Sequence, residues 1–69
     1  MPLTMAGDGI ERPIRRIGGS PSVRAHLKDL GFVEGQLVRV VADSGGHRIV
    51  QVKEARVAIS RELAVRIMV

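Results

Sequence analysis

The sequence contains no cysteine, tryptophan or tyrosine, and only one phenylalanine, Phe32. Without cysteine there can be no disulfide and no thiolate zinc finger. The lack also fits a reducing, cytoplasmic setting. A single ring cannot form the stacking platform that single-strand and sequence-specific RNA sites use. Long apolar runs are missing as well. The longest, such as Val40-Val41-Ala42, reach three residues, far short of the ~20 a membrane helix needs. The start, Met1 to Asp8, lacks a charged region followed by an apolar one, so it does not read as an export signal. The expectation is a cytoplasmic protein with no direct membrane insertion.

What remains is aliphatic and basic. Hydrophobic residues make up 45% of the 69, so Val, Ile, Leu, Ala and Met must supply nearly all of the core. A chain of this length buries only about 60% of its unfolded surface, which allows one marginal domain spanning 1–69. Eleven Lys and Arg against seven Asp and Glu give a net charge of +4. That excess is compatible with phosphate neutralisation on a nucleic acid, or with an ordinary solvated basic surface.

The local patterns order themselves along the chain. Ile10, Ile14 and Ile17 follow the Gly7-Asp8-Gly9 turn signal and suggest a first strand over 10–17, although Pro13 belongs at an edge or bulge. Ser20-Pro21 reads as a helix cap followed by proline in the first turn. Val23, Leu27 and Leu30 then form one helical stripe, and Gly31 stands where a left-handed cap is wanted, so a helix is expected over about 21–30. Beyond Glu34-Gly35 the period becomes two. Val38, Val40 and Ala42 share one parity, Asp43-Ser44-Gly45-Gly46 reads as a hairpin loop, and Val50 and Val52 point inward from the next strand. Val57 and Ile59 mark another strand, Ser60 caps a short helical turn, and Val65, Ile67 and Val69 suggest a last strand. The expected fold is mainly β: a small closed barrel of about five strands that hides its own edges.

No catalytic constellation is legible, so the chain reads as a non-enzyme. The serines lie outside any Gly-x-Ser-x-Gly motif. Gly18-Gly19-Ser20 lacks the Gly-Lys-Ser/Thr ending of a phosphate-binding loop, and a helix start explains it. His26 and Asp29 lie three apart on the helix and His47 in the hairpin, which makes them weak metal candidates rather than a dedicated site. No cofactor is expected beyond adventitious divalent metal.

The segment Leu27-Lys28-Asp29-Leu30-Gly31-Phe32-Val33-Glu34-Gly35 resembles the Leu-x-x-Leu/Met-Gly-Leu/Phe-x-x-Gly stretch of the FeoA family, ferrous iron transport protein A. Val38-Arg39-Val40, Arg56-Val57-Ala58-Ile59-Ser60 and the closing Glu62-Leu63-Ala64 and Val65-Arg66-Ile67 follow in the family's order. The likeness covers about Leu3 to Val69. It implies an SH3-like barrel, a fold also found at the C-terminus of iron- and manganese-dependent repressors. It further implies an accessory role in ferrous iron uptake, with the GTPase-containing transporter FeoB as partner. One departure is the turn at Lys53-Glu54-Ala55-Arg56, where the family commonly has glycine; a longer or different turn is expected here.

Two sets of residues are candidates for the partner surface. Leu30, Phe32 and Val33 could be apolar anchors, with the alternative that Leu30 and Phe32 plug the barrel. Arg24 and Lys28 on the exposed helix face could meet an acidic patch. No nucleic-acid partner is expected; the alternative roles are a small basic barrel that binds RNA or DNA, and a metal-binding or metal-responsive domain. Val-rich strand edges also leave room for a homo-oligomer.

Overall fold

In the computed structural model, which describes residues 1–69, helix α1 runs from Pro21 to Asp29. Ser20 starts it, its Oγ accepting from Val23 N–H at 3.3 Å. The helix ends as its sequence requires. Gly31 takes a φ of +101°, its N–H donates to Lys28 C=O, and Phe32 N–H reaches back to Leu27 C=O, both at 2.9 Å. This crossed pair is a Schellman cap, and it brings Phe32 over Leu27. Both side chains are fully buried.

The strands are β1 (Arg12–Pro13), β2 (Arg16–Ile17), β3 (Leu37–Ser44), β4 (His47–Val52), β5 (Ala55–Ser60) and β6 (Ile67–Met68). They form one sheet of order β1-β3-β4-β5 and a two-stranded sheet of β2 and β6, all antiparallel. Helix α2, Arg61–Ala64, joins β5 to β6, and Ser60 Oγ caps it by accepting from Leu63 N–H. A short 3-10 turn, Leu3–Met5, precedes β1. Thirteen buried residues fill the interior, all hydrophobic, with Phe32, Leu3, Ile14, Leu27, Ile59 and Ile67 the largest. The architecture is mainly β and small, as expected, but it has six strands, and β5 keeps one edge open where a closed barrel was expected.

Three local expectations are corrected. The first strand divides in two because the chain changes sheets at its middle: Ile14 N–H donates to Gln36 C=O beside β3, whereas Arg15 N–H donates to Met68 C=O in β6. Proline at 13 has no N–H to continue the ladder, and Ile10, expected at the start of that strand, lies outside both halves and is 50% exposed. In β3 the register steps from Val40↔Val50 to Ala42↔Ile49. Val41 is therefore a bulge, and Ala42 faces solvent instead of sharing the inward parity of Val38 and Val40. Val65 closes α2 as its C-cap rather than beginning β6.

The β4–β5 connection also departs from expectation. Val52 pairs with Ala55, so the turn has only two residues, and Lys53 adopts a φ of +56°. The chain accepts left-handed backbone at a lysine rather than lengthening the loop. Such a conformation costs an L-residue about 1–2 kcal/mol. Lys53→Gly is expected to stabilise the domain by about 1 kcal/mol, after the extra entropy glycine loses on folding. A higher midpoint in urea at an unchanged slope would show it; an unchanged or lower midpoint would remove the strain.

Candidate functional site

The Schellman cap decides what lies beside α1. It reverses the chain so that Phe32, Val33 and Glu34 run back along the helix, where they form one wall of a shallow groove of about 350 Å³. Ile17, at the end of β2, lies opposite, and Pro21, Arg24 and Lys28 line the helical side. Arg24 and Lys28 are four residues apart and thus neighbours on one helix face. Both are exposed. Neither is ion-paired, because both salt bridges in the structure belong to Arg48. The result is an apolar floor beneath two free cations, with Glu34 at the far rim. It suits an apolar side chain flanked by carboxylates.

Four of the five residues proposed for partner contact therefore come together. Leu30 does not: it is half-buried and packs on the core from outside the groove. Phe32 serves the core first, being 1% exposed, and its role as a projecting anchor is corrected to that of a groove floor. Val33, half-buried, is the apolar residue left accessible at the rim. Ile17, Pro21 and Glu34 were not foreseen, since Ile17 reaches the site only through the β2–β6 pairing.

A second concavity, about 320 Å³, has no hydrophobic residue in its lining, which is Thr4, Asp43, Gly46, His47, Arg48 and Arg61. Its central side chain is already committed. Arg48 Nη1 donates to the carbonyls of Leu3, Thr4 and Ala6 at 2.9, 3.3 and 2.9 Å. Its Nε meets Asp43 at 2.8 Å, and Nη2 reaches Asp8 at 3.3 Å. The hydrogen bond from Arg48 holds the Asp43 carboxyl below its ordinary value, and Asp43 in turn raises Arg48. This guanidinium fastens the N-terminal turn to the sheet. Nothing in the linear pattern singles out this role, because the three carbonyls it holds lie 42 to 45 residues away.

The metal candidates do not converge. His26 and Asp29 are exposed on α1, His47 stands in the polar concavity, and no three His, Asp or Glu side chains group as a metal site would require. With Phe32 buried, no Phe, Tyr or Trp ring faces solvent. No helix is long and apolar enough to cross a membrane.

Comparison with known proteins places this architecture. A sequence model of the FeoA domain matches residues 1–69. The Fe(2+) transport protein A of Methanocaldococcus jannaschii is 31% identical over 68 residues, covering 99% of this chain and 83% of the relative. A crystal structure of an iron uptake regulatory protein, FeoA, superimposes with a TM-score of 0.86 at 32% identity, over 96% of this chain and 88% of the other. Stenotrophomonas maltophilia FeoA, solved with zinc and described as a prokaryotic SH3 domain protein, gives a TM-score of 0.85 at 27% identity, over 99% and 87%. The chain belongs to the FeoA domain family.

Proposed function

We propose that this protein is an accessory factor of ferrous iron uptake that works in the cytoplasm by binding, not by catalysis. Its partner is the cytoplasmic side of a FeoB-type transporter, and the α1 groove is the contact. Family membership supports the iron-uptake role. The observation that carries the contact is the pair of unpaired cations, Arg24 and Lys28, over a floor of Ile17 and Phe32. The complementary surface on the partner is an acidic segment with one apolar side chain. Nucleic acid is the weaker match for the same cations, since Phe32, the one aromatic ring lining the groove, is buried and cannot stack on a base.

Reversing both charges, Arg24→Glu with Lys28→Glu, tests the contact. Association with the transporter's cytosolic domain should slow at least tenfold at low salt, and the deficit should shrink as salt screens the rim. Both residues are exposed, so the fold should be unaffected. Unchanged association rates at low salt would remove the groove as the contact, while leaving the family role intact.

A further inference from the structure

Strand β5 lies at the edge of its sheet with no strand on its outer side. Along the β4–β5 hairpin, Val52 and Ala55 flank a two-residue turn and so form a hydrogen-bonded pair, after which bonded and non-bonded pairs alternate. Ala55, Val57 and Ile59 therefore direct their backbone groups toward β4, while Arg56 and Ala58 direct theirs outward. The same alternation, carried through β4 and β3, leaves Val40 facing away from β4, and its carbonyl does accept from Gly9 N–H on that side at 2.8 Å. No loop, cap or side chain takes up the outward groups of Arg56 or Ala58. Both residues are exposed, and no strand covers them.

We propose that this protein forms a two-fold dimer by antiparallel pairing of β5 with β5 of a second copy, centred on Val57. This register sets Arg56 opposite Ala58 of the other copy and Ala58 opposite its Arg56. The outward N–H and C=O groups of those residues then satisfy one another in four hydrogen bonds. Each guanidinium faces a small methyl rather than its own counterpart, and like charges across an antiparallel pair are unfavourable. The two Val57 side chains, half-buried in the monomer, meet on the axis as a non-bonded pair, in which side chains approach most closely. The neighbouring registers are worse. Centring on Arg56 opposes two guanidiniums. Centring on Ala58 requires Ser60 to pair where the chain already turns into α2. A slip by one residue sets apolar faces against polar ones. A single strand pair buries less than the roughly 1,200 Å² of a standard stable interface, so the dimer is weak and exchanging.

The absence of cysteine gives a direct test. In a non-bonded pair the Cα atoms lie about 4.5 Å apart, within the range a disulfide bridges. Val57→Cys is expected to cross-link to a dimer under mild oxidation, at least tenfold faster than Ser44→Cys in the exposed β3–β4 hairpin. Sedimentation of the unmodified protein from micromolar to millimolar concentration should show reversible dimerisation. Ala58→Pro removes an outward N–H without taking a bond from β4, so it should raise the dimer Kd about tenfold or more while keeping the circular dichroism. Should that variant fail to fold, Ala58→Arg applies the same test by opposing two guanidiniums, and adding Arg56→Glu should restore or tighten the dimer. Equal cross-linking of the two cysteine variants, a monomer at every concentration, or a dimer indifferent to Ala58 would overturn the proposal.

Discussion

Replacing Phe32 with alanine is expected to leave the domain largely unfolded at 25 °C. Removing a buried Phe costs about 3–5 kcal/mol through lost transfer energy and the cavity left behind. A core in a domain of this size supplies only about 3–5 kcal/mol in total. Phe32 is the largest of the fully buried side chains, so its truncation removes more buried volume than any other in this core. Phe32→Leu keeps most of the volume and should cost less than about 1.5 kcal/mol. Urea unfolding followed by circular dichroism would separate the two: a cooperative Phe32→Ala transition near the unmodified midpoint would mean that the ring contributes little. The expectation also bears on the partner surface. Alanine at 32 cannot report on binding, and Val33, accessible at the same groove, is the better position to alter.

Arg48→Ala should produce the next largest loss, about 2–4 kcal/mol, without touching a hydrophobic contact. The substitution leaves the carbonyls of Leu3, Thr4 and Ala6 without their donor, and unmade bonds to partly buried groups are costly. Leu3 is 1% exposed and depends on that turn staying in place. Arg48→Lys should recover less than half, since an ammonium cannot reproduce a planar fork reaching two carboxylates and three carbonyls. The pH dependence follows from Asp43, whose folded value lies below the ordinary 3.8. Its contribution is complete above 3.8 and is lost as pH falls through the lower folded value. Acid should therefore destabilise the unmodified protein more steeply than Arg48→Ala. Parallel pH profiles for the two proteins, or a loss under about 0.5 kcal/mol at neutral pH, the range of an ordinary surface substitution, would dissolve the clamp.

What the sequence reveals divides along range. The α1 stripe, its Ser20 and Gly31 boundaries, the inward Val50 and Val52 and the Ser60 cap each depend on residues within a turn or a strand of one another. These features are legible because local geometry alone satisfies them. The bulge at Val41 is not, since Val-Val-Ala carries no mark of which residue will lose its partner. The split at Ile14 is invisible for a related reason: the carbonyls that draw Ile14 and Arg15 apart belong to Gln36 and Met68. Lys53 misleads in the other direction. Its turn type obeys the β4–β5 register, and that pairing overrides the residue's own preference. In the groove, Arg24, Lys28, Phe32 and Val33 follow from a helix and its cap, whereas Ile17 needed the tertiary fold. Arg48 shows the limit most plainly, a charged strand residue whose structural role rests on a segment far upstream.

The meeting of the chain's ends sets an order on how the molecule closes. Met1 and Val69 exchange two hydrogen bonds, each 2.8 Å long, across a separation of 68 residues. Loop-closure entropy grows as the logarithm of loop length, so this contact costs about 2.5 kcal/mol more to bring together than a four-residue hairpin turn. The Gly45-Gly46 turn repays its small closure at once through the β3–β4 ladder. The terminal pair regains its larger cost only when Leu3, Ile67 and Val69 are already seated around the meander. The ends are thus a seam that the finished core draws shut, and the three-strand meander is the part of the molecule that stands before it.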